Sequence, residues 1–221
     1  MGVIQVYITV GDNLLAYLSE RGPSLDPMVF RNISIAICII SKLSWMEDRH
    51  QRSLLSSIDS LANQGPEFFI LGLNMMADFV EQMDIPYLSI LSSSLLSFSH
   101  AVDSTEHRKT VTQFISESLL TIFETALEVV DDISSGSGSE KFSDFTYRNA
   151  LLQADMKVLS QCLQFDFIGC KSDESADETW VLQIPALWEG FVCNSERLAR
   201  LFAMYPPSSA SIQATNRCSR R

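Results

Sequence analysis

Apolar residues recur at spacings of three and four along most of this chain, the period of α-helices that each bury one face. Val29, Ile33, Ile37 and Ile40 make one such row, and Phe69, Leu73, Met76, Val80 and Met83 make another. Between Glu106 and Val130 two rows lie side by side, Ile115, Leu119, Ile122 and Ala126 beside Leu120, Phe123, Leu127 and Val130. A stripe that wide packs against more than one neighbour. Leu152, Met156, Leu159 and Leu163 form the expected inward row of a helix over 142–164. Only Val3 to Val10 alternates weakly, so that a short strand and a helix are equally compatible with it.

The punctuation between these rows is that of helix ends. Arg21-Gly22-Pro23 stops one helix, and Asp26-Pro27 starts the next with a capping side chain and a proline at the first helical position. Gln64-Gly65-Pro66 is a second break, and Glu67 sits early in the following helix, where the positive end of the dipole favours a carboxylate. The stretch 84–104, rich in Ser and Leu, fits a loop or a short helix. Loops are expected over 131–147, around Ser-Ser-Gly-Ser-Gly-Ser, and over 170–182. Residues 1–11 read as an N-terminal extension, 12–205 as helical repeats, and 206–221, with Pro-Pro-Ser-Ser-Ala-Ser and an Arg-rich end, as a disordered tail. Helix pairs repeating at about 40 residues are the mark of HEAT and armadillo arrays. The expected fold is therefore all-α, a HEAT-type helical-repeat solenoid with an armadillo-like superhelix. A plain helical bundle is the alternative, because no strict sequence repeat is visible.

Composition narrows the function classes. With 46% hydrophobic and 19% charged residues the chain has the material for a packed core. A net charge of −11 disfavours binding to a phosphate backbone, so nucleic acid is not an expected partner. The apolar run from Ile33 to Ile40 is too short to span a bilayer, and the N-terminal residues lack the basic region and cleavage site of a signal peptide; no membrane partner is expected. The cysteines, Cys38, Cys162, Cys170, Cys193 and Cys218, are odd in number and irregular in spacing, which suits a reducing compartment better than a disulfide framework. Asn32-Ile33-Ser34 is a chance glycosylation sequon inside an amphipathic helix.

Catalytic constellations are not found. His50, His100 and His107 have no partner at metal-ligand spacing, and His100 and His107 are read as flanking a polar turn. No phosphate-cradling loop occurs, so neither a cofactor nor a metal is expected, and an enzyme is not the reading. The acidic cluster Asp173, Glu174, Asp177 and Glu178 lacks the ligand spacing and central glycine of a calcium loop. A solvated loop is its first reading, and a docking site for a basic partner its functional one. Trp45, Trp180 and Trp188 are read as core residues before interface anchors.

One segment is distinctive. Cys162-Leu163-Gln164-Phe165-Asp166-Phe167-Ile168-Gly169 is followed by Ser172-Asp173-Glu174-Ser175, by Val181-Leu182-Gln183-Ile184-Pro185 and by Trp188. This series resembles the exportin-7 family of nuclear transport receptors in the importin-β superfamily. It departs from the family pattern at Cys170-Lys171-Ser172 and at Leu182. Weaker similarity lies in Leu14 to Leu18, in Lys42-Leu43-Ser44-Trp45 and in Glu106-His107-Arg108-Lys109, so that the resemblance covers about 12–205. It implies a solenoid that binds the GTPase Ran in its GTP form and protein cargo, meets nuclear pore proteins, and shuttles between nucleus and cytoplasm, the nucleotide being held by Ran. It also implies chains several-fold longer, of which this is an internal slice lying after most of the repeats that grip Ran. A generic helical-repeat scaffold for a cytosolic complex is the alternative.

Overall fold

The computed structural model describes residues 3–45, 54–86, 100–135, 144–167 and 186–192, together with 194, 196 and 199. Every regular element among the described residues is helical. The larger unit, within Met1–Gln183, contains α1 (Val3–Arg21), α2 (Pro27–Ser44), α3 (Leu54–Ala62), α4 (Pro66–Asp84), α5 (His100–Phe114), α6 (Leu120–Ser135) and α7 (Phe145–Gln164). A π-helical stretch, Ile115–Leu119, joins α5 to α6 without a break, and a short 3-10 turn, Gly22–Ser24, separates α1 from α2. The smaller unit, within Ile184–Arg221, contains a 3-10 turn, Ala186–Trp188, and a one-turn α8 (Glu189–Val192), with Trp188 and Phe191 buried.

Consecutive helices pair as hairpins: α1 with α2, α3 with α4, and α6 with α7. The second helices then stack, α4 packing against both α2 and α7. α4 and α7 run parallel, since Tyr147 Oη at the start of α7 donates to the Pro66 carbonyl at the start of α4 (3.1 Å), and the Asp166 N–H beyond the end of α7 donates to Asp84 Oδ1 at the end of α4 (2.9 Å). This hairpin-on-hairpin order is that of a HEAT-type array, in which each repeat buries its apolar face on the next. Glycine eases two close approaches. A Cβ at Gly72 would stand 2.9 Å from the Ala62 Cβ between α3 and α4, and one at Gly22 would stand 2.9 Å from Leu71 Cδ1.

Helix boundaries follow the local chemistry. Asp26 caps α2, its carboxylate accepting from the Met28 N–H at 2.8 Å with Pro27 in the first turn. Asp144 does the same for α7 through the Thr146 N–H, also at 2.8 Å. Replacing Asp26 by alanine removes a donor's only side-chain partner in that turn and is expected to cost about 1 kcal/mol, read as a shift of the chemical-denaturation midpoint. An unchanged midpoint would show that water serves the Met28 N–H equally well.

Several expectations change. Of the two readings open for Val3 to Val10, helix is the one observed, continuous through Arg21. α6 runs to Ser135 and α7 begins at Phe145, so the expected loop over 131–147 gives up residues at both ends; 136–143 lie outside the described residues, as do 87–99, 168–185 and all of 206–221. The expected inward rows are rotated. On α2 Val29 is exposed, and the most buried face carries Phe30, Ser34, Ile37, Cys38, Ser41 and Lys42. On α7 Leu163 is exposed, and the buried face is Leu151, Ala154, Asp155, Val158, Leu159 and Cys162. The reason is common to both: polar side chains occupy the centre of the interface, and aliphatic ones flank it. By length and composition α2 passes for a membrane span. Here it is a packed helix of the array, with Lys42 fully enclosed between α2 and α4.

Candidate functional site

Two polar features organise the stack of second helices. The first is a seam through its middle. Asp78 on α4 is fully buried; Ser34 Oγ on α2 donates to its Oδ2 at 2.9 Å, and Lys157 Nζ on α7 pairs with its Oδ1 at 2.7 Å. One carboxylate thus bonds both neighbouring helices. Cys38, one turn along α2 from Ser34, is a free buried thiol pushed far above the ordinary thiol range, first by burial and then by the charge of Asp78. Such a thiol is inert at neutral pH.

The second feature closes the C-terminal end of α4. The Lys42 ammonium donates to the carbonyls of Gln82 (2.7 Å), Met83 (3.3 Å) and Ile85. A helix ends with carbonyls that have no partner of their own, and a cation there answers both their lone pairs and the negative end of the dipole. Beside it lies an aromatic cluster. Phe114 of α5 meets Trp45 (5.8 Å between ring centroids), Phe79 of α4 (5.4 Å) and Phe165 (5.6 Å), and Phe165 meets Phe167 (6.2 Å). The Phe165-Asp166-Phe167 part of the distinctive segment is therefore fastened twice, by ring packing and by the backbone bond to Asp84.

His107 lies near this end, in α5 and buried, which corrects its placement at a polar turn. Burial first and the Lys42 charge second lower its pKa to about 4, against smaller opposing effects of Asp84 and Asp166, so it is neutral at physiological pH. The side chains of His50 and His100 lie outside the described residues, as do Trp180 and all of Asp173, Glu174, Asp177 and Glu178. Trp45 and Trp188 are buried. No group of three or more His, Cys, Asp or Glu side chains able to hold a metal occurs among the described residues. The sequon at Asn32 has its Ser34 hydroxyl committed to Asp78 inside the stack.

The polar residues that matter most to the packing were not singled out by periodicity. Asp78 interrupts Met75-Met76-Ala77 and Phe79-Val80, and Lys42 follows an aliphatic run. A lone charge on the apolar side of a helical row is the signal that could have found them, because such a residue must be paired when buried.

A shallow groove of about 300 Å³ runs between α1 and α3, lined by Leu15, Ala16, Ser19, Ser56, Ser57, Ser60 and Leu61. It holds hydroxyls and methyl groups and no titratable side chain.

Sequence comparison adds a similarity to known proteins. Over 206 residues the chain is 25% identical to Ran-binding protein 17 of Homo sapiens, covering 91% of this chain and 18% of that protein. It is 26% identical over 208 residues to Exportin-7-A of Xenopus laevis, with the same shares covered. The similarity runs along most of this chain and a small part of each relative. Ran-binding protein 16 of Drosophila melanogaster shows 24% identity over 206 residues. The chain spans 18% of the length of each of these relatives. No family profile matches it, and no solved structure does.

Proposed function

We propose that this chain is a segment of a nuclear transport receptor and acts by binding proteins, not by catalysis. The observation that carries the reading is the similarity over 91% of the chain to proteins named exportin-7 and Ran-binding protein. The helical array supports it, because stacked hairpins expose long helix faces suited to protein partners. The partners proposed are Ran in its GTP form, protein cargo and nuclear pore proteins, with shuttling between nucleus and cytoplasm as the consequence. The acidic loop Asp173, Glu174, Asp177 and Glu178 is proposed as a docking element for a basic surface of such a partner, its charge speeding the encounter.

The test is retention of Ran by the immobilised chain. GTP-loaded Ran is expected to be retained and GDP-loaded Ran not. Equal retention, or failure with both, would remove Ran recognition from this segment. A companion chain with the four acidic residues changed to Asn and Gln is expected to bind partners more slowly at low salt, with the difference shrinking as salt rises.

A further inference from the structure

Asp155 lies on the inward face of α7, which packs on α4 on one side and on α6 on the other. It is fully buried, and neither oxygen of its carboxyl accepts a hydrogen bond from a described residue. That distinguishes it from Asp78, which shares the stack but is bonded from both sides. An ionised carboxylate enclosed without a donor or a cation is among the most costly arrangements a protein core can hold, whereas the neutral acid is tolerated.

The surrounding charges offer no relief. On α4, Asp78 is paired with Lys157, Glu81 lies 3.9 Å from Arg31, Asp84 accepts from the Asp166 N–H, and Glu67 is exposed. On α6, Glu124, Glu128, Asp131 and Asp132 are all exposed. On α7 itself, Arg148 reaches the Ile133 carbonyl, Tyr147 reaches Pro66, and Lys157 is held by Asp78. The titratable group that responds to Asp155 is Cys162, two turns further along the same face, whose buried thiol is raised to about 12 by burial first and by Asp155 second.

We propose that Asp155 is a proton-controlled fastener of the α4–α6–α7 interface: neutral, it lets α7 seat between its neighbours, and ionised, it loosens α7. Burial alone raises its pKa from 3.8 to about 8. The sign follows. A carboxyl whose folded-state pKa lies above its unfolded value holds its proton more tightly when folded. Its contribution is fully present below the unfolded value and is lost as pH rises toward the folded value. Between these limits one proton separates the two states, so the folding equilibrium weakens by about tenfold for each pH unit. The loss thus spans the neutral range, where cellular pH varies.

The experiment compares the wild-type chain with Asp155→Asn, which keeps the shape and cannot ionise. Thermal and urea unfolding are followed from pH 5 to pH 8. The wild type is expected to lose stability relative to Asp155→Asn by about tenfold in the folding equilibrium per pH unit. Local loosening is read by alkylation of Cys162, resolved by mass spectrometry with Cys38 as internal reference. At pH 8 Cys162 is expected to react several-fold faster in the wild type than in Asp155→Asn, with Cys38 unchanged between them. Parallel stability profiles, or equal Cys162 rates at pH 8, would overturn the proposal. If Asp155→Asn does not fold, infrared spectroscopy of the wild type decides. A protonated-carboxyl band that persists at pH 6 and fades by pH 9 supports the fastener, and its absence at pH 6 overturns it.

Discussion

Asp78→Ala will lower the folding stability of this chain by about 3 kcal/mol, the lower end of the range for breaking a buried ion pair. The lower end is appropriate because Lys157, left behind, has 34% of its side chain exposed and can turn its ammonium to water. Ser34, fully buried, cannot turn away in the same manner and loses its acceptor. Lys157→Met will do more harm than Asp78→Ala, about 4–5 kcal/mol, because it strands the carboxylate where no solvent reaches it. The double change Asp78→Leu with Lys157→Met removes both charges and is expected to recover most of that loss, since apolar replacement of a buried pair is often neutral. Urea unfolding of the three variants checks this order. A single-variant loss below about 1 kcal/mol would mean that the pair is worth no more than a surface salt bridge.

Phe114→Ala will cost about 3–5 kcal/mol, the range for deleting a buried aromatic ring. Phe114 is fully buried and its ring meets three others, so the deletion opens a cavity and removes ring contacts worth about 0.5–1.5 kcal/mol each. Phe114→Leu refills most of the space and is expected to lose less than half as much. A second readout locates the damage. Trp45 is 1% exposed and rests on Phe114, so its fluorescence is expected to shift to the red in Phe114→Ala before global unfolding. Limited proteolysis is expected to begin near Phe167 in the same variant, because Phe165 loses the ring it packs on. Cleavage confined to other sites would show that the bond from the Asp166 N–H to Asp84 is enough to hold this segment.

Much of the architecture is legible in the sequence because it rests on local rules. The Asp26-Pro27 start, the Gly22-Pro23 stop and the period of the rows each involve residues a few positions apart, and each corresponds to an observed helix or boundary. The facing of α2 and α7 was less legible. Periodicity identifies a helix's most hydrophobic side, and packing here centres on a different line, where Ser34, Lys42 and Asp155 lie. What satisfies or strands each of those groups sits far away in the chain: Asp78 is 44 residues from Ser34, and Ile85 is 43 from Lys42. Composition and spacing carry no record of such pairings. The resemblance, by contrast, rests on a few specific residues, Phe165-Asp166-Phe167 foremost, and these are anchored by rings and backbone.

The Ser34–Asp78–Lys157 seam also bears on how the array comes apart. In a repeat protein held only by apolar contact, each hairpin can peel from the end with little effect on the next. Here a single carboxylate is shared by three hairpins, and withdrawing any one of them leaves a buried charge or hydroxyl in the other two without its full set of bonds. Fraying from either end is therefore halted at α4. The unit of cooperativity is longer than one repeat, because α2, α4 and α7 are coupled through one carboxylate.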